Sequence, residues 1–151
     1  MDNVARLTAI EAIKSLKGKY FRCLDTKDWH GFQSVFTADA IIEIPENFDT
    51  PFALEPFVAM VKTALANAVS IHHGHMPELD ILSETDARGI WAMNDQLFFP
   101  PGDAGLTGAA EIVGAGHYHE SYRCGGGEWR IAKLRLTRIY LQSRGNSRTV
   151  A

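Results

Sequence analysis

An α+β fold is what this 151-residue chain predicts. Two observations point there: the first half reads as helices around one short strand, and the second half reads as four long strands in succession. Helices kept apart from an antiparallel run of strands make the α+β class. A third observation is the strand length. The four runs, at about 70–82, 86–99, 109–124 and 128–142, exceed the usual five or six residues. Strands this long bend and coil, so the sheet is expected to wrap around the helices and leave a pocket between the two layers.

The elements follow in order. Ile10, Ile13, Leu16, Tyr20 and Leu24 recur at spacings of three and four and line one face of a helix over 3–24. Asp25-Thr26-Lys27-Asp28 interrupts the pattern. Asp28 then caps a second, short helix carrying Trp29, Phe32, Val35 and Phe36. Residues 40–45, Ala-Ile-Ile-Glu-Ile-Pro, read as a strand closed by Pro45. A third helix spans 54–68, with Phe57, Val58, Val61 and Leu65 on its apolar side. Gly125-Gly126-Gly127 marks a hairpin, because glycine accepts positive φ freely. Residues 100–107 form a longer connection. The expected organisation is one domain over 1–142 and a polar, disordered tail over 143–151.

Composition excludes several function classes. Hydrophobic residues make up 46% and charged residues 22%, ordinary for a globular protein. A net charge of −3 offers no electrostatic footprint for nucleic acid. No apolar run approaches the roughly 20 residues a membrane span needs. The opening residues do not read as a signal peptide, so the cytoplasm is the expected location. Cys23 and Cys124 show no C-x-x-C spacing and read as plain thiols.

Polar residues inside apolar patterns are the candidates for chemistry. Five of the six histidines fall in two strand segments, 71–77 and 114–120. On a strand, His117 and His119 share one face and Tyr118 the other, whereas His72 and His75 oppose one another unless Gly74 allows a bulge. Clustered imidazoles suggest proton transfer or metal ligation, because histidine changes charge near neutral pH. His30 reads as surface. Asp25 ends the first helix, either as a terminating carboxylate or as one that orients an imidazole. Tyr20 lies about 140° from it around a helix of roughly 100° per residue, so the two flank one cavity only if the helix end unwinds. Asp95 shares strand parity with Trp91 and Met93, and an acid facing inward must be paired or protonated. Arg138 interrupts an apolar strand and is open between binding an anionic or carbonyl group and an intersubunit salt bridge. Phe21, Phe57, Met60, Met76, Trp91 and Met93 supply an apolar lining for a small hydrophobic ligand. His117 and His119 with Glu120 form a partial metal set suited to iron or zinc, although Glu120 has the wrong parity.

Four segments resemble the SnoaL-like, nuclear-transport-factor-2-like superfamily, in its scytalone dehydratase branch. They are Leu24-Asp25-Thr26-Lys27-Asp28-Trp29, Ser70-Ile71-His72-His73-Gly74-His75, Gly116-His117-Tyr118-His119, and the ending Gly-Glu-Trp-Arg-Ile-Ala-Lys-Leu over 127–134. The resemblance implies a cone of three N-terminal helices on a strongly curved antiparallel sheet, assembling as a dimer or trimer. It implies a dehydratase-like lyase or an isomerase that uses no cofactor and no metal. Asp25 is then the carboxylate that orients a histidine, His72 the proton acceptor or donor, and His119 the second histidine of the pair. Tyr20 and Arg138 resemble pocket groups of the bile-acid 7α-dehydratase relatives. Asp95, Trp91, Met93, His117, Phe21, Phe57 and Met76 complete the expected binding set. Leu24 and Ile44 stand where the branch carries tyrosines, so scytalone itself is not the expected substrate. The same cone also serves as a non-catalytic binding or assembly module, since fold does not decide function.

Overall fold

The structure, a computed structural model, describes residues 1–102 and 108–145. Helix α1 spans Asn3–Asp25, α2 Trp29–Ser34 and α3 Leu54–Leu65. The strands are β1 Phe36–Glu43, β2 Phe52–Ala53, β3 Val69–Ile81, β4 Asp86–Phe98, β5 Ala109–Gly125 and β6 Glu128–Gly145. They form a six-stranded sheet in the order β2-β1-β6-β5-β4-β3, which curls around the helices without closing.

Three expectations change. The sheet is mixed, because β1 runs parallel to β6, pairing Ile42 with Leu134. The long hairpins β3–β6 are antiparallel, as a short turn demands, but β1 arrives from α2 and adds to the free edge of β6 in the other sense. Second, α2 ends before Val35, and Phe36 opens β1. Both side chains are buried all the same, so their apolar character reported the core rather than a helix face. Third, β6 runs on to Gly145, past the expected end of the domain. Residues 103–107 of the expected connection and 146–151 of the expected tail lie outside the described residues.

Local chemistry explains the punctuation. Asp2 and Asp28 cap α1 and α2, accepting from the Ala5 and Gly31 amides at 2.7 and 2.9 Å. Gly126 and Gly127 carry φ of 61° and 84°, the paired positive values of a tight hairpin. A bulge lies between Gly74 and Pro77 in β3, and it turns Met76 out to 90% exposure.

The core sits between the helices and the concave face of the sheet. Ile13, Cys23, Phe32, Val35, Ile42 and Ile131 are fully sealed. Each buried aliphatic or aromatic side chain contributes about 1.5–3 kcal/mol. Tyr20 touches Phe32, Phe36 and Tyr118 at ring-centroid separations of 5.1–5.9 Å, tying α1 to α2, β1 and β5. An ion pair, Lys17 with Glu120, is also buried here. Tyr122 donates to the other Glu120 oxygen and receives the Trp91 indole proton at 2.8 Å. The Lys17 ammonium lies 3.8 Å from the centroids of both Tyr20 and Tyr118. Burial pulls the Lys17 pKa down, against the pull of Glu120. No helix among the described residues is long and apolar enough to cross a membrane.

Candidate active site

The end of α1 and the start of β3 meet at one carboxylate. Asp25, the last residue of α1, places Oδ1 2.6 Å from His72 Nδ1. Its Oδ2 accepts the His72 backbone amide at 2.8 Å, and the Ser70 hydroxyl donates to Oδ1 at 3.0 Å. Ser70 and His72 share strand parity, so both face the helix end. Burial pushes the Asp25 carboxyl up, but the bonds from the His72 ring, the His72 amide and Ser70 outweigh it and hold it below the usual carboxylate range. An ionised carboxylate only accepts, which assigns the shared proton to His72 Nδ1; in the neutral imidazole the lone pair is then on Nε2.

His72 lines a cavity of about 100 Å³ between the helices and the sheet. Its walls are apolar on the helix side, through Leu24, Phe32, Phe57, Val61 and Leu65, and on the β6 side, through Leu134 and Leu136. The polar groups converge from five elements: Tyr20 of α1, His72 of β3, Asp95 of β4, Tyr118 of β5 and Arg138 of β6. Few polar groups in an apolar enclosure is the usual make-up of a small-molecule site.

Asp95 is 2% exposed, and Arg138 neutralises it with two parallel bonds of 2.6 and 2.7 Å. Burial opposes the Arg138 charge, but the bonds and charge of Asp95 outweigh it, so its pKa is raised. Asp95 Oδ2 also stands 3.9 Å from His72 Nε2. Tyr20 and Tyr118 pack edge to face at 5.8 Å, with their hydroxyls in mutual hydrogen-bonding reach. Burial raises both phenols well above their ordinary values, so they act as donors and not as bases.

The expected residues divide accordingly. Asp25, His72, Tyr20, Asp95, Arg138 and Phe57 come together at or behind the cavity. Asp25 and Tyr20 do not flank it jointly, as α1 stays helical through Asp25; the His72 ring lies between the carboxylate and the cavity. Trp91 and Met93 are buried in the core, Met93 accepting a 3.8 Å contact from Arg138, and Phe21 packs at Gly74. Met76 is turned outward by the bulge and lines nothing.

His119 and His117 require correction. His119 is exposed, 3.3 Å from Thr137 Oγ1, and the His117 ring lies beside it, tilted, at a centroid separation of 6.3 Å, both on the outer face of the sheet. The inward parity of β5 belongs to Gly114, Gly116, Tyr118, Glu120 and Tyr122, all buried or facing the core. The alternation was readable, with two tyrosines and two glycines on one parity and polar side chains on the other, but which parity the helices cover was not. The partial metal set of His117, His119 and Glu120 is thereby split between opposite faces. Among the described residues, no group of three or more His, Cys, Asp or Glu side chains is placed to hold a metal. Sequence reasoning missed Ser70 and Lys17, since a lone serine or lysine in a periodic segment carries no signal of its partner.

The chain belongs to the SnoaL-like domain family, whose model matches residues 5–135. It is 24% identical over 142 residues to a probable cyclase of Gibberella zeae, covering 87% of this chain and 92% of the relative. Among solved structures it is similar to a hexachlorocyclohexane dehydrochlorinase, LinA type 2, with a TM-score of 0.79, 19% identity, and 96% and 95% of the two chains covered. A candidate scytalone dehydratase from Novosphingobium aromaticivorans superposes with a TM-score of 0.81 at 15% identity, covering 97% and 99%. At these identities the likeness to the solved structures establishes the fold.

Proposed function

We propose that this protein is a lyase or isomerase of small hydrophobic cyclic compounds, working by proton abstraction next to a carbonyl without a cofactor. The observation that carries the reading is the 2.6 Å contact between Asp25 Oδ1 and His72 Nδ1, with the His72 ring lining a cavity whose walls are mostly apolar. Asp25 fixes the imidazole tautomer and stabilises the imidazolium that forms when Nε2 takes a proton. Tyr118, held by Tyr20, donates to the oxygen on which negative charge develops, and such preorganised donors are worth several kcal/mol. Arg138 is committed to Asp95, so it shapes the polar wall and leaves the cavity close to neutral. A neutral ligand follows, since a carboxylate would meet Asp95 without a free cation.

Loss of a β leaving group gives elimination, and return of the proton to another carbon gives isomerisation. The names of the related dehydrochlorinase and cyclase fit that range of outcomes for a shared first step. The test is a panel of small cyclic ketones and β-hydroxy ketones, incubated in D₂O and followed by NMR. Deuterium exchange or water loss that vanishes in His72→Gln supports the reading. Tight binding of a panel member with neither exchange nor elimination would establish the alternative, a ligand-binding module of the same fold.

A further inference from the structure

Lys27 has a φ of 62°, the one positive value among the described non-glycine residues. It sits just past α1, where the Asp28 amide reaches back to the Cys23 carbonyl at 2.9 Å, a helix end that glycine or asparagine usually occupies. An L side chain is disfavoured there, and strain of this kind commonly accompanies a functional placement. The lysine side chain crosses to β3 and donates from Nζ to Ser70 Oγ at 2.7 Å. Ser70 is the same hydroxyl that donates to Asp25 Oδ1, the oxygen facing the His72 ring.

We propose that Lys27 is a positioning residue for the Asp25–His72 pair, acting through Ser70. The inference rests on His72 being the base. An ammonium has donors only, so Ser70 Oγ must accept from Lys27 and direct its single proton at Asp25. The carboxylate oxygen is thus held from one side by Ser70 and from the other by His72. The nearby positive charge also favours the ionised Asp25 and opposes a proton on His72, keeping Nε2 free to accept. Asp25 in turn supports the Lys27 charge against its partial burial, although burial prevails and lowers the Lys27 pKa. The other groups around His72 are Asp95 of β4, neutralised by Arg138 of β6, and the protonated phenols Tyr20 and Tyr118.

The experiment reads the imidazole directly in the full chain. Histidine is labelled with ¹⁵N and ¹³C, and the His72 ring signals are assigned by their loss in His72→Gln. Lys27→Gly, Lys27→Met and Lys27→Arg are then titrated. Lys27→Gly relieves the left-handed backbone, so it is expected to melt at or above the wild-type temperature and separates charge from folding. The His72 midpoint is expected to rise by about half a pH unit in Lys27→Gly and Lys27→Met. It should stay within about 0.2 unit of wild type in Lys27→Arg. A midpoint unchanged in either neutral variant, or one that moves with them in Lys27→Arg, overturns the proposal. No substrate is needed. A moved midpoint with no activity on the ketone panel would count against the proposed reaction alone.

Discussion

Arg138 grips Asp95 with both terminal nitrogens, at 2.6 and 2.7 Å, and Asp95 in turn lies 3.9 Å from His72 Nε2 at the cavity wall. The pair spans β4 and β6 over the backbone of β5, which runs between those strands. Its arrangement connects the stability of the sheet to the chemistry of the site.

Removing the cation should be costly. Arg138→Met leaves Asp95 sealed without its partner, an expected loss of about 3–5 kcal/mol in urea unfolding. The double variant with Asp95→Asn should recover most of that loss. A single variant within about 0.5 kcal/mol of wild type would mean the pair carries little.

The crossing also explains one glycine. A Cβ at Gly114 would collide with the Arg138 guanidinium and lie 2.5 Å from Asp95 Oδ1. Gly114→Ala should therefore displace the clamp, lowering stability by about 1–3 kcal/mol. Activity should fall while Asp25 and His72 stay in place, and a crystal structure of the variant would locate the shift.

The two histidine segments make opposite predictions. His72→Gln should reduce turnover on any panel substrate about 10²–10⁴-fold. His119→Gln lies on the far face of the sheet and should leave turnover unchanged. Equal losses in the two variants would place the base elsewhere.

Asp25 makes a pH-dependent contribution to stability. Its carboxyl is held below the unfolded value of 3.8, so the folded state favours the charged form. That stabilisation is complete above the unfolded value and is lost as pH falls through the lower folded one. The stability gap between wild type and Asp25→Asn should be flat near pH 5 and shrink as pH drops below 3.8, measured by urea unfolding at each pH.

Buried charge also sits outside the cavity. Lys17→Met should strand Glu120 among Tyr122 and Trp91 and cost about 3–5 kcal/mol. Pairing it with Glu120→Gln should offset part of the loss, and thermal unfolding of both variants compares them.

Local pattern determined much of this protein. The apolar spacing of α1, the Asp28 cap, the triple-glycine hairpin and the four long strands depend on neighbours within a few residues, and each is readable along the chain. So is the inward parity of Asp95, because alternation on β4 is unbroken. Other features depend on groups far apart. Asp25 and His72 are 47 positions apart, Lys17 and Glu120 are 103, and nothing within either segment encodes the distance to the other. Tertiary structure alone decided that Tyr118 rather than His119 faces the cavity, because strand alternation specifies two faces without saying which one the helices cover. It also decided that β1 joins β6 in parallel, since strand pairing is chosen by the free edge left after the hairpins close.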